Sequence, residues 1–312
     1  MNNKKKKSEV LVVGAGGVGA YFGGRLSESG GAAVSVVCRS DYEAVKENGF
    51  DIASINGDFK FIPEQVCRNV DEYNGNPDYI IIALKALPDI DNVNLIKPAV
   101  RKDTVIVLLQ NGIDIEHDLY EAYPENEIIS GIAYIGVARK GEGKIEHQGG
   151  GHLSVGLFPE GTSDSVDRLH KLFENAGVDC EVRKDIIRKR WEKLLWNVPF
   201  NSLSVIAGGL DTRQIMDDKY LVNLAENLMK EVVRTAEACG WAIDESLIEW
   251  NLEYTRNFPP YKSSMLLDYE NHRKMECDAI LGNVIKLAEE HNLSTPYIET
   301  LFALLNSYGK SL

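Results

Sequence analysis

Up to about residue 183, short unbroken runs of Val, Ile and Leu alternate with stretches whose apolar positions recur every three or four residues. The runs at 9–13, 33–38, 79–83, 104–108 and 128–135 predict strands, and the stretches at 21–29, 42–48 and 115–122 predict helices between them. A strand that is apolar at successive positions has both faces covered, so the pattern predicts parallel βαβ units. From residue 144 it changes. Residues 144–148 and 152–156, joined through Gly149-Gly150-Gly151, predict a hairpin or edge strands, followed by a helix at 165–176 and a strand at 178–183. Beyond residue 184 the texture is helical to the end. Leu221, Leu224, Leu228, Val232 and Ala236 fall at helical spacing within 221–239, and Gly240 suits a C-terminal cap. Residues 265–291 predict a second long helix, and 297–308 a third that opens after Pro296. The expected fold is α/β, with an N-terminal Rossmann-like doubly wound sheet over 1–184 and a C-terminal all-helical domain over 185–312.

Composition narrows the function without choosing it. A chain of 312 residues, 44% apolar and 26% charged, suits about two globular domains and excludes disorder, collagen and coiled coil. With 34 basic against 47 acidic side chains the net charge is −13, which argues against coating a nucleic acid but leaves room for one local basic pocket. Lys4 to Lys7 followed by residues 10–20 mimic a secretory signal. Gly14, Gly16, Gly17 and Gly19 interrupt the apolar part, however, so the reading is a solvated basic tail and a first strand. No run of about 18 apolar residues occurs, so no membrane span is expected. Five dispersed cysteines without a C-x-x-C pair predict reduced thiols in the cytoplasm, and six dispersed histidines predict no metal site.

Residues 14–19, Gly14-Ala15-Gly16-Gly17-Val18-Gly19, satisfy G-x-G-x-x-G between a strand and a helix, the setting that makes the pattern a dinucleotide fingerprint. Gly14 permits the tight turn, Gly16 lets backbone N–H groups approach a pyrophosphate, and Gly19 lets the helix pack on the strand; the helix starting near Val18 would face the phosphates. An NAD-binding sheet places Asp or Glu after its second strand. This chain has Arg39 and Ser40 there, donors that suit a 2′-phosphate, so the expected cofactor is NADPH/NADP.

Ligands of doubly wound sheets bind beyond the carboxyl ends of strands. One such end delivers Lys85, which reads either as a charge for phosphate or carboxylate or as a solvated turn lysine. Another delivers Gln110-Asn111-Gly112, where Asn111 either bridges ligands or makes a common turn pair. In the helical half, Lys193, Asn197 and Asn201 repeat every four residues among Leu194, Leu195, Trp196, Val198 and Phe200. They form a polar stripe on one helix face that is costly to bury without a partner and that a polar substrate would satisfy. Pro199 predicts a kink in that helix. Ser263 and Ser264 read as a helix start, and Glu276 lies further along the same expected helix, either as an ordinary surface residue or as part of a site.

Taken together, the 14–19 loop, Arg39, Lys85, Gln110-Asn111-Gly112, the Lys193/Asn197/Asn201 stripe, Ser264 and Glu276 resemble the 2-dehydropantoate 2-reductase (ketopantoate reductase) family over nearly the whole chain. The resemblance implies NADPH-dependent reduction of 2-dehydropantoate to (R)-pantoate, in pantothenate and coenzyme A synthesis. It implies Lys193 as proton donor, Asn111 in contact with cofactor and substrate, Asn197, Asn201 and Ser264 on the substrate, and Glu276 beside substrate and cofactor. Two positions depart from many relatives. Ser202 stands where they have Pro, and Asp211 stands roughly where some have an Asn, an unfavourable place for an acid beside a carboxylate substrate. Another branched 2-oxo acid as substrate, or a non-catalytic NADPH-sensing role, are the competing readings. The expected partners are a small 2-oxo acid and, through the helical half, a second copy of the chain, with neither nucleic acid nor membrane.

Overall fold

The structure, a computed structural model, describes residues 7–309; Lys4 to Lys6 of the basic tail lie outside them. The chain divides into two compact units. Among the described residues, one comprises residues 7–85, 90–110 and 116–186, and the other residues 86–89, 111–115 and 187–309. Two short segments ahead of residue 184 thus pack with the second unit.

The first unit is built on one sheet. Its strands are β1 (Ser8–Val13), β2 (Ala32–Val37), β3 (Phe50–Ser54), β4 (Phe59–Phe61), β5 (Val66–Cys67), β6 (Tyr79–Ile82), β7 (Val105–Leu108), β8 (Ile128–Gly141), β9 (Lys144–Leu157) and β10 (Cys180–Val182). The order is β4-β3-β9-β8-β7-β6-β1-β2-β5, with β10 pairing β9. From β5 to β8 all neighbours run parallel. The central strands β1, β6 and β7 are buried along nearly their whole length, which is why their sequences lack alternation. Helices α1 (Gly17–Glu28), α2 (Tyr42–Asn48), α3 (Asn92–Ile96), α4 (His117–Ala122) and α5 (Asp164–Asn175) complete the unit. Strand order reverses at β1, the switch point beyond whose carboxyl end a crevice opens in such sheets.

Residues 144–156 are neither a separate hairpin nor an edge. They form the single strand β9, antiparallel to β8 along its length, with β3 and β10 on its other side. Gly150 and Gly151, at φ +68° and +111°, absorb a register shift there, and the buried His147 holds the bulge through Nε2 to the carbonyls of Gly149 and Gly150. The glycines that predict a turn make a bulge instead.

The second unit is helical: α6 (Ile186–Ile206), α7 (Thr212–Asp217), α8 (Lys219–Ala238), α9 (Ser246–Asn257), α10 (Ser264–Glu270), α11 (Asn283–Glu290) and α12 (Pro296–Gly309). Helix α8 packs against α7, α9, α11 and α12. Its buried Glu231 accepts from the backbone N–H groups of Tyr297 and Ile298 at 3.1 and 2.9 Å, satisfying the first turn of α12. The chain remains helical through Pro199.

The helix expected over 265–291 is broken. After α10, His272 adopts φ +53°, the His272 N–H donates to the Tyr269 carbonyl at 3.1 Å, and the Arg273 N–H donates to the Asp268 carbonyl at 2.8 Å. This is a Schellman stop, usually signalled by glycine; His at that position hides it from the sequence. A π-turn over Asp278–Gly282 then leads into α11. Ser264 and Glu276 therefore belong to different elements.

Candidate active site

In the first unit, the expected nucleotide residues gather at the carboxyl edge of the parallel strands. Gly14 to Val18 follow β1 and open α1, Arg39 and Ser40 follow β2 on the surface, Lys85 follows β6 half-buried, and Gln110 follows β7. Gln110 ties two strand ends together, donating from Nε2 to the Leu84 carbonyl and accepting from Asn92, both at 3.0 Å. The glycines differ in what demands them. A Cβ on Gly19 would stand 2.4 Å from the Gly14 carbonyl oxygen, so the strand–helix packing requires its absence. A Cβ on Gly16 would meet no protein atom within 4 Å, and its φ of −77° suits any residue. The fold has no need of glycine at position 16, whereas a pyrophosphate lying close against the backbone does, and the cradle therefore fits a dinucleotide.

Beside Arg39 lies Asp41. Its carboxylate accepts from the Arg139 fork (Nε to Oδ2 at 2.8 Å, and NH2 to Oδ1), from the Gly143 N–H at 3.2 Å and from Ser40 Oγ at 2.9 Å. Burial alone would raise its pKa, but these donors outweigh that and hold the carboxyl below its ordinary value.

In the second unit, stretches of chain distant in sequence meet around one ammonium. Lys193 Nζ donates to Asn111 Oδ1 at 2.9 Å, Asn111 Nδ2 donates to Glu276 Oε2 at 3.2 Å, and Glu276 Oε1 accepts from the Ala86 backbone N–H at 2.9 Å. The arrangement is a relay of charge-assisted bonds from a cation to an anion through a neutral amide. Desolvation lowers the Lys193 pKa to about 8; the neighbouring Arg190 adds to the fall and Glu276 opposes it. Arg190, absent from the expected site, is buried one helical turn before Lys193 and donates to the Gly112 carbonyl at 3.3 Å. It charges the surroundings of Lys193 while holding the turn that carries Asn111.

That turn has a strict steric demand. Gly112 has φ +108°, the Ile113 N–H donates to the Ala279 carbonyl at 3.1 Å, and a Cβ on Gly112 would stand 2.4 Å from the same oxygen. The π-turn that follows Glu276 is therefore pressed directly against the turn that follows Asn111, and this contact brings their side chains together.

The stripe on α6 continues beyond Lys193. Asn197 and Asn201 are both buried, and Asn201 Oδ1 accepts no hydrogen bond among the described residues. Trp196 flanks the stripe, its ring beside those of Phe200 and Tyr261 and its Nε1 donating to Thr255 Oγ1 at 3.1 Å. The cap of α10 is Ser263, which is buried, accepts from the Leu266 N–H and bonds Ser204 Oγ at 2.7 Å; Ser264 is exposed in the first turn. Ser202, on the same helix as the stripe, returns its hydroxyl to the Val198 carbonyl. Asp211 is engaged in a capping box at the start of α7 with Gln214, which gives its carboxylate a structural use.

Among the described residues no cluster of three or more His, Cys, Asp or Glu could hold a metal ion, and no helix is long and apolar enough to cross a membrane. The five cysteines are free thiols, and burial pushes Cys38 up to about 11 and Cys180 and Cys277 up to about 12.

The same architecture occurs in known proteins. The chain is 33% identical over 307 residues to a 2-dehydropantoate 2-reductase of Nostoc sp., covering 97% of this chain and 94% of that one. A crystal structure of 2-dehydropantoate 2-reductase from Methylococcus capsulatus superposes with a TM-score of 0.89 at 41% identity, covering 96% of each chain. D-mandelate dehydrogenase, solved with NADH and anilino(oxo)acetate, shares the fold at 22% identity, with a TM-score of 0.88 over 97% of this chain and 99% of that one. Residues 10–160 match the family described as "Ketopantoate reductase PanE/ApbA" and residues 185–309 its C-terminal counterpart, so the chain belongs to the ketopantoate reductase family of oxidoreductases.

Proposed function

We propose that the chain is a cytoplasmic enzyme that reduces 2-dehydropantoate to (R)-pantoate with NADPH, a step of pantothenate and coenzyme A synthesis. The observation that carries this reading is Lys193, a desolvated ammonium with a pKa of about 8, aimed by Asn111 and balanced by Glu276. Reduction of a ketone places negative charge on its oxygen, and an acid with a pKa near neutrality is well suited both to stabilise that charge and to supply the proton. NADPH, when bound, supplies the hydride. Residues 14–19 would hold its pyrophosphate, Arg39 its 2′-phosphate, and Lys85 would offset its charge.

Within the helical unit, Lys193 would donate its Nζ proton to the ketone oxygen. Asn111 and Glu276 keep the amine oriented and charged until that moment. Asn197, Asn201 and Ser264 would hold the substrate. The unsatisfied Oδ1 of the buried Asn201 favours a substrate with a hydroxyl to donate, as 2-dehydropantoate has, over a branched 2-oxo acid without one. A second copy of the chain would pair through the helical unit.

The test follows NADPH absorbance with a panel of 2-oxo acids for wild type and Lys193→Ala. Turnover restricted to 2-dehydropantoate and its hydroxylated analogues, lost in the variant, is the expected result. Turnover of unhydroxylated acids alone would move the reading to another branched 2-oxo acid, and NADPH binding with no turnover of any acid would leave a sensing role.

A further inference from the structure

The loop after β2 carries two contradictory signals. Arg39 suits a 2′-phosphate, but Asp41, two residues on, is the kind of residue that NAD-binding sheets use to hold a free 2′-hydroxyl, and a carboxylate there repels a phosphate.

The structure separates them. The Asp41 side chain is only 3% exposed, and its carboxylate is turned onto donors from the β8–β9 hairpin: the Arg139 fork and the Gly143 N–H, 98 and 102 residues away in sequence. Arg39 is exposed. Ser40 donates its hydroxyl to the same carboxylate at 2.9 Å, so the segment between the two charges is also fixed by the pair. Arg139 lies on β8 and belongs to neither the glycine loop nor the β2 end, so no nucleotide-binding motif includes it.

We propose that Arg139 is a positioning residue that sets cofactor preference: by holding Asp41 against the hairpin it removes the carboxylate that would exclude a 2′-phosphate, leaving Arg39 as the facing charge. The proposal rests on the NADPH reading above. Specificity here comes from taking away a repulsive group as much as from offering an attractive one. Freed from Arg139, Asp41 would either face the 2′ position or neutralise Arg39, and both outcomes disfavour the phosphate.

The test measures NADPH and NADH dissociation constants by fluorescence titration of the full chain, with thermal melts alongside. In Arg139→Met, NADPH affinity is expected to fall by about tenfold or more while NADH affinity stays within about twofold, a change of preference that one released charge can produce. Asp41→Asn keeps the wild-type preference, and Arg139→Met/Asp41→Asn restores it. A pair that merely staples the fold would instead weaken both nucleotides in parallel, with no rescue. That result, or an unchanged preference in Arg139→Met, overturns the proposal. If Arg139→Met does not fold, Arg139→Gln, which removes the charge and the fork but keeps a flexible polar side chain, reads the same ratio and decides the question by the same criterion. Arg39→Ala distinguishes the two levels: equal loss of NADPH and NADH refutes the NADPH reading itself, whereas selective loss of NADPH with an unresponsive Arg139 refutes only the latch.

Discussion

The glycine-rich candidate cradle and the ammonium cluster are built in opposite ways. The cradle of the first unit is written in six consecutive residues that follow β1 and open α1, with the Gly14 and Ala15 N–H groups donating to the Val37 carbonyl at the end of β2. The cluster of the second unit draws Ala86, Asn111, Lys193 and Glu276 from distant stretches of chain, and each is placed by a different element. A site made of local backbone tolerates change elsewhere, whereas a site made of side chains from distant elements depends on every contact that brings those elements together.

The largest effect should come at the centre of the dispersed site. Lys193→Ala is expected to lower kcat for 2-dehydropantoate by about 10²–10⁴-fold, the range of a lost general acid, with NADPH affinity retained. A variant that keeps its rate would remove the ammonium from the chemistry.

Gly112→Ala tests the support of that site. A Cβ at φ +108°, pressed on the Ala279 carbonyl, should cost about 1–3 kcal/mol in urea denaturation and reduce activity through a displaced Asn111. Gly16→Ala is the matching test in the cradle. With an ordinary φ and open space around its Cβ, it should cost no more than the roughly 1 kcal/mol of a poorer N-cap yet weaken nucleotide binding by about tenfold. A larger loss of stability in Gly16→Ala than in Gly112→Ala, or none in Gly112→Ala, would break the contrast between the two regions.

The smallest effect is a shift along the pH axis. As the proposed acid, Lys193 would work only while protonated, so the rate should be flat below and fall as pH rises through about 8. Glu276→Gln removes a charge that favours the ammonium, so the lysine releases its proton more readily and the falling limb moves to lower pH. A limb that stays in place would uncouple Glu276 from Lys193.

Much of this was legible in the residues themselves. The runs of Val and Ile found β1, β2, β6 and β7, and the helical texture after residue 184 found the second unit. The four-residue repeat placed Lys193, Asn197 and Asn201 on one helix, and α6 carries them so. The short strands β3 to β5 escaped, since two to five residues without a strong apolar run give too little periodicity to read. The break after α10 escaped because His272 occupies a left-handed position that sequence signals assign to glycine. The Ala86 amide on Glu276 escaped because a backbone donor carries no side-chain signature.

By itself, the sequence determined whatever depends on neighbours along the chain: the alternation of strands and helices, the turn that only glycines allow, and a polar stripe at helical spacing. Those features obey steric and hydrogen-bonding rules that act over a few residues. The tertiary structure decided which charges meet. Whether Lys193 is desolvated, whether Glu276 faces Asn111, and whether Asp41 is spent on Arg139 depend on burial and on partners as many as 165 residues away. Coulomb energy and solvation are set by distance and dielectric in space, which spacing along the chain does not record.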